Sequence, residues 1–198
     1  PQELDGLAQR DAVSQALQEL GHDVRAVPLS LDLASTRDQI ARLAPDCVFN
    51  LVESVGGRDR LIHLAPALLE AMELAFTGAS EAATILTTCK PLAKRLLRAH
   101  GAPTPDWWPE PGAPDPRGAV VLKSAWDHGS VGLDEEAVAQ VASPEELAGR
   151  LRGLAAARRC QVFAERYIEG REFNLSLLAG PDGPRVLPPA EIRFLDYA

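Results

Sequence analysis

Six prolines fall within a short stretch in the middle of the chain, at Pro103, Pro105, Pro109, Pro111, Pro114 and Pro116. A proline fixes its own φ and has no N–H group to donate, so prolines at this density exclude a helix and a central strand. We therefore predict a linker, with an edge strand around Trp107 and Trp108. This linker divides the chain into two parts that have different sequence patterns.

The part before the linker alternates helical and extended patterns. Its first segments are 11–20 (helix), 22–29 (strand), 36–43 (helix), 46–51 (strand) and 61–74 (helix). Helices that alternate with strands are typical of a parallel α/β sheet. The first strand of such a unit is expected upstream of Pro1. Two further helices are predicted over residues 81–86 and 90–99.

The part after the linker is richer in strands, which are predicted at 119–123, 137–141, 161–167, 172–178 and 186–194. One helix is predicted to begin after Ser143, which is its N-cap, and to run to about Ala157. Pro144 occupies the first helical position and Glu146 closes a capping box. Because its strands are mostly antiparallel, this part is α+β.

Composition excludes several classes of protein. A formal net charge of −8 argues against a general nucleic-acid binder. No segment approaches the roughly eighteen apolar residues of a membrane span, and residues 1–5 lack the features of a signal peptide. The cysteines Cys47, Cys89 and Cys160 are widely spaced and odd in number, which favours reduced thiols in the cytoplasm over disulfides or a zinc site.

A loop with two glycines is the first candidate for chemistry. The strand that ends near Lys123 is followed by Gly129, Ser130 and Gly132. The glycines let backbone N–H groups approach an anion closely, while the hydroxyl and the ammonium group add donors. This set suits a phosphate, although the same residues fit an ordinary hairpin loop. The chain contains neither a P-loop nor a dinucleotide-binding fingerprint.

The second candidate is a pair of acidic residues around a turn. Glu165 and Tyr167 share one face of a predicted strand, and the turn at Gly170 brings Glu172 back nearby. A carboxylate can accept hydrogen bonds from an adenine amino group or from ribose hydroxyls. Taken alone, the segment fits a solvated charged hairpin equally well.

Together, the two candidates resemble the ATP-grasp superfamily and, within it, the D-alanine–D-alanine ligase-like family. The order is a lysine, then Gly-Ser-x-Gly, then Glu-x-Tyr-Ile-x-Gly-x-Glu about thirty residues later. Other segments that match the family, in chain order, are 48–50, 68–78, 86–90, 100–105, 121–123, 189–192 and 196–197.

The resemblance implies an ATP-grasp fold, α/β plus α+β, that is incomplete at both ends. An N-terminal parallel-sheet domain (Rossmann-like, pre-ATP-grasp) would precede an antiparallel ATP-binding domain. The implied boundaries are 1–84 for the N-terminal domain, 85–118 for linking helices and the Pro-rich linker, 119–166 for the small ATP-grasp subdomain, and 167–198 for the start of the C-terminal subdomain.

The resemblance also implies roles for residues at the phosphate end of ATP. Lys90 and Lys123 would bind the phosphates, which would be covered by the loop residues Gly129, Ser130 and Gly132. Lys94 lies on the same predicted helix as Lys90 but outside the motif. We therefore expect Lys94 to contribute little, so that Lys94→Ala serves as a control.

At the base end of the nucleotide, Glu165 would accept from the adenine amino group. Tyr167 and Ile168 would supply the hinge that sandwiches the base, and Glu172 would hold the ribose hydroxyls. The family's Mg²⁺ ligands, an Asp and a Glu-x-Asn, are expected after Ala198. No residue of this chain is therefore assigned as a metal ligand or as catalytic.

The sequence departs from the family at three places. Ser124 replaces a proline, Cys89 replaces an acidic residue, and residues 52–59 lack the histidine and Gly-Glu-Asp that help to form the first D-alanine site. ATP is therefore better supported than D-alanine as a substrate.

The implied function is that of an ATP-dependent carboxylate–amine ligase acting through an acyl phosphate, in cytoplasmic peptidoglycan biosynthesis. Its partners would be amino acids or similar small molecules, with no nucleic acid or membrane, and a homodimer would form through the N-terminal domain. Two alternatives stay open: a non-catalytic ATP-binding protein on the same scaffold, and a ligase for a different amino or hydroxy acid.

Overall fold

The structure, a computed structural model, describes residues 2–127 and 137–193. The predicted phosphate loop, with Gly129, Ser130 and Gly132, lies outside the described residues, and so does the Asp196-Tyr197 pair. The helices of the described part are α1 (Gln2–Glu19), α2 (Leu33–Leu43), α3 (Leu64–Ala71), α4 (Glu81–Thr88), α5 (Lys90–Ala99) and α6 (Pro144–Arg158), with a short 3₁₀ helix at Asp59–Leu61.

The strands are β1 (Trp107–Trp108), β2 (Gly118–Ser124), β3 (Val138–Val141), β4 (Val162–Arg166), β5 (Glu172–Asn174), β6 (Leu177–Leu178), β7 (Arg185–Val186) and β8 (Ala190–Ile192). The first four form one antiparallel sheet in the order β1-β4-β2-β3. The predicted edge strand at Trp107 and Trp108 is therefore confirmed.

One face of this sheet is covered by α6. Trp108 and Leu122 both lie opposite Ala164 in the strand register, so the three side chains share that face. They form a buried core with Leu147 of α6 and with neighbours on β2 and β3. Apolar burial of this kind is the main force that holds a helix to a sheet.

The start of α6 follows its predicted capping. The Ser143 hydroxyl accepts a hydrogen bond from the Glu146 N–H at 3.2 Å. The Glu146 carboxylate accepts in return from the N–H of Ala142, one residue before the N-cap, at 2.9 Å. Both bonds satisfy donors that have no partner within the helix.

The two strands predicted before the linker do not form ladders. Residues 22–29 have no regular secondary structure, and residues 46–51 contribute one parallel bridge, between Val48 and Phe76. A parallel strand needs a neighbouring strand to pair with. Within residues 2–127, the main-chain bonds of this bridge, Val48 N to Ala75 O and Thr77 N to Val48 O, are the only sign of the predicted parallel sheet.

The last two predicted strands are each divided in two. β5 pairs with β8 and β6 pairs with β7, both antiparallel. Pro188 and Pro189 separate β7 from β8. Because a proline has no N–H to donate, the ladder is interrupted between the two pairs. The boundaries of the predicted domains stay predictions.

No helix in the described ranges, 2–127 and 137–193, is long and apolar enough to cross a membrane.

Candidate functional site

The candidate site lies on the sheet face opposite α6, where α5 packs. Trp107 lies opposite Glu165 in the register, and Lys123 lies opposite Phe163, so these four side chains share that face. The Arg98 guanidinium of α5 lies 4.0 Å from the centroid of the Trp107 ring. This contact, together with the hydrogen bond between Lys94 of α5 and Glu165 of β4, holds α5 against the sheet.

Glu165 lies between two lysines that come from different elements. Its Oε2 atom accepts a hydrogen bond from Lys94 Nζ of α5 at 2.9 Å, and its Oε1 atom accepts from Lys123 Nζ of β2. The exposed side-chain fraction is 8% for Lys94, 15% for Glu165 and 26% for Lys123. Lys94, Glu165 and Lys123 thus form a cluster that is closed to solvent at Lys94 and partly open to solvent at Lys123.

The cluster shifts the acidity of Glu165. Burial by itself raises the pKa of this carboxyl, but the hydrogen bonds and charges of Lys123 and Lys94 outweigh burial and lower the pKa from its ordinary value of 4.5. Glu165 is therefore ionised at neutral pH. With both lysines protonated, the three groups carry a net charge of +1.

Lys90 is the first residue of α5, the helix that also carries Lys94. Its backbone N–H donates to Ala125 O at 2.9 Å, and its Nζ atom donates to the backbone oxygen of Asp127. Pro91 fits the first turn, where its missing N–H would have no helical partner. Burial lowers the pKa of the Lys90 ammonium from its ordinary value, and the charge of Lys123 acts in the same direction. A nearby anion would relieve this effect.

The residues predicted for the base end are placed less closely together. Tyr167 and Ile168 follow β4 directly and are exposed, and the Tyr167 N–H donates to Ala119 O at 3.1 Å. Glu172 lies on β5, in the separate two-stranded sheet with β8. The structure thus brings together Lys90, Lys123 and Glu165 from the predicted set.

Lys94, which lies outside the motif and was expected to serve as a control, is part of this cluster and is therefore unsuited to that use. Lys94 is buried, pairs with Glu165, and also donates to Thr104 Oγ1 at 2.8 Å. Its ammonium group lies 5.3 Å from the centroid of the Trp107 ring. The sequence offered only the spacing of four residues between Lys90 and Lys94, which places both on one face of a helix but does not show that either is buried.

Within the described ranges, no group of three or more His, Cys, Asp and Glu side chains is arranged to hold a metal ion. The site brings together the ammonium groups of Lys90, Lys94 and Lys123. Such groups bind anions, and they suit phosphate in particular when several of them converge.

Comparison with known proteins identifies the relatives of this chain. Over 202 residues it is 30% identical to a D-alanine--D-alanine ligase of Synechococcus sp. (strain JA-2-3B'a(2-13)), covering 94% of this chain and 58% of that protein. The chain thus resembles D-alanine–D-alanine ligases over almost its whole length. It spans a little over half the length of this ligase. No protein-family model matches it.

Solved structures of ligases confirm the predicted ATP-grasp fold. The D-alanine--D-alanine ligase of Bacillus anthracis complexed with ATP matches 87% of this chain and 56% of its own, with a TM-score of 0.59 and 22% identity. An L-amino acid ligase of Bacillus licheniformis matches 80% of this chain and 38% of its own, with a TM-score of 0.56 and 18% identity. The scaffold is thus common to ligases whose names specify different amino acids.

Proposed function

We propose that this chain supplies the ATP-binding part of an ATP-dependent carboxylate–amine ligase of the D-alanine–D-alanine ligase type. The observation that carries the proposal is the pairing of Lys94 and Lys123 with one carboxylate, Glu165, with Lys90 close enough for the charge of Lys123 to act on it. Two of these lysines stand in motifs that resemble the family's phosphate-binding motifs. The 30% identity to a ligase over 94% of the chain supports the same reading.

In the proposed reaction, a substrate carboxylate oxygen attacks the γ-phosphorus of ATP, and the bond to the bridging oxygen breaks to release ADP. The amine of a second substrate then attacks the carbon of the acyl phosphate. Phosphate leaves with its bonding electrons, and the amine nitrogen loses a proton as the amide forms. Lys90 and Lys123 would hold the phosphates, because phosphoryl transfer depends on positioning and on compensation of charge.

Mg²⁺, when bound, would neutralise part of the phosphate charge. None of the described residues is proposed as its ligand. The loop with Gly129, Ser130 and Gly132 is proposed to cover the phosphates.

At the base end, Tyr167 and Ile168 are proposed to sandwich the adenine, and Glu172 to bind the ribose hydroxyls. Both oxygens of Glu165 already accept from lysines. Each carboxylate oxygen has a second lone pair, so Glu165 can also accept from the adenine amino group.

The substrates are proposed to be small amino acids, and the protein to be a cytoplasmic homodimer that acts in peptidoglycan biosynthesis. Residues 52–59 do not match the segment that helps to bind the first D-alanine in the family. A ligase for another amino or hydroxy acid is therefore the second candidate.

ADP release by the full-length protein tests this function. We expect ADP to form from ATP and Mg²⁺ when a panel of D-amino, L-amino and hydroxy acids is supplied in pairs, and to depend on at least one acid. Activity with D-alanine alone would identify a D-alanine–D-alanine ligase. Activity with another acid would support the second candidate, a ligase for a different amino or hydroxy acid. Tight ATP binding without ADP release for any pair would contradict catalysis and favour the non-catalytic alternative.

A further inference from the structure

Lysine is rare in this chain and confined to the site. The sequence contains three lysines, Lys90, Lys94 and Lys123, and seventeen arginines. Every other side chain with a permanent positive charge is thus an arginine, whose planar guanidinium differs from the compact ammonium of lysine. Lys94 does not belong to the residues proposed to touch ATP, and yet it is one of these three.

The surroundings of Lys94 turn it toward Glu165 rather than toward solvent. Its ammonium group donates to Thr104 Oγ1 and to Glu165 Oε2, at 2.8 and 2.9 Å, and its side chain is 8% exposed. Lys123, on the other side of the same carboxylate, is the more exposed of the two lysines. A ligand that approaches from solvent therefore meets Lys123 first.

The charges explain why a second lysine is useful at this place. Glu165 and Lys123 alone would form a neutral pair, in which the carboxylate competes with a polyphosphate for the ammonium group. When Lys94 binds the other carboxylate oxygen, the cluster keeps a net charge of +1. Charges in such a partly dry site interact more strongly than charges in water.

We propose that Lys94 is a positioning residue, which binds Glu165 so that the charge of Lys123 stays available for the phosphates of a nucleotide. This inference rests on the proposed nucleotide site. It assigns to Lys94 an effect on affinity that passes through Glu165, without contact between Lys94 and the nucleotide.

Lys94→Gln tests the inference, because glutamine keeps a hydrogen-bond donor for Glu165 but removes the charge. We expect the full-length variant to bind a non-hydrolysable ATP analogue about tenfold more weakly than the wild type in calorimetric titration. Arg95→Gln is the matched control, since Arg95 is the next residue of α5, its side chain is 56% exposed, and it pairs with Glu110 and not with Glu165. Its affinity should equal that of the wild type.

The double variant Lys94→Gln/Glu165→Gln separates a role of charge from a role in packing. It restores the net charge of +1 and leaves no buried charge unpaired, so it should fold. Because Glu165 is itself proposed to contact the adenine, the probe for this variant is inorganic tripolyphosphate, which has no base. The double variant should bind tripolyphosphate within about threefold of the wild type. This comparison holds even if Lys94→Gln alone does not fold. A double variant that binds tripolyphosphate tenfold or more weakly than the wild type, or a folded Lys94→Gln protein with wild-type affinity for the ATP analogue, would overturn the inference.

Lys123→Gln separates an error in the role of Lys94 from an error in the proposed nucleotide site. Weaker binding by Lys123→Gln with no effect of Lys94→Gln would overturn only the role of Lys94. Unchanged binding by Lys123→Gln would overturn the nucleotide site itself, and the inference with it.

Discussion

Lys123→Ala is expected to weaken binding of a non-hydrolysable ATP analogue by on the order of tenfold to a hundredfold. A hydrogen bond to a charged group contributes roughly 1.5–3 kcal/mol, and about 1.4 kcal/mol corresponds to a tenfold change in affinity. Glu165 keeps its bond to Lys94 in this variant, so the buried carboxylate still has a cationic partner. Calorimetric titration of the full-length protein measures the change.

The control for this experiment is Arg95→Ala. The pattern of the sequence favoured Lys94→Ala, but Lys94 is buried in the site, whereas the Arg95 side chain is 56% exposed. Arg95 pairs with Glu110 and not with Glu165, so Arg95→Ala should leave the affinity near that of the wild type. Equal affinities for Lys123→Ala and the wild type would refute the phosphate role of Lys123.

Trp108→Ala is expected to lower the free energy of unfolding by about 3–5 kcal/mol. Trp108 is 7% exposed and belongs to the core between the sheet and α6. Its indole N–H also donates to Pro114 O at 2.8 Å, which fastens the Pro-rich segment to the sheet. Urea denaturation of the full-length protein, followed by tryptophan fluorescence, measures this loss of stability.

Arg150→Ala is the control for the stability measurement. Arg150 lies on the exposed side of α6 and pairs with Glu146 one turn earlier. Removal of such a surface pair should change stability by about 0.5 kcal/mol or less. A loss below about 1 kcal/mol for Trp108→Ala would mean that the Pro-rich segment and α6 are not held by this core.

Elements with local signals were predictable from the sequence. Ser143 and Pro144 mark the start of α6, and β2 and β4 lie where the strands 119–123 and 161–167 were predicted. The segment 22–29 has the alternation of a strand, but a parallel strand exists only when a distant segment pairs with it. Alternation alone does not identify that partner.

The site was predictable to a similar extent. Motif spacing pointed to Lys90, Lys123 and Glu165, which the structure brings together. It did not point to Lys94, because burial against Trp107 and the bond to Glu165 depend on how α5 packs on the sheet. The helical spacing between Lys90 and Lys94 is a local signal, yet it does not tell a buried lysine from a solvated one.

Amide hydrogen exchange of the full-length protein, with and without a non-hydrolysable ATP analogue and Mg²⁺, tests the nucleotide site most directly. We expect slower exchange in the first turn of α5, in residues 124–133 and around β4, because the nucleotide would cover these segments. Exchange in α1 should stay the same. Unchanged exchange in all three segments, with the analogue shown by calorimetry to be bound, would contradict the account.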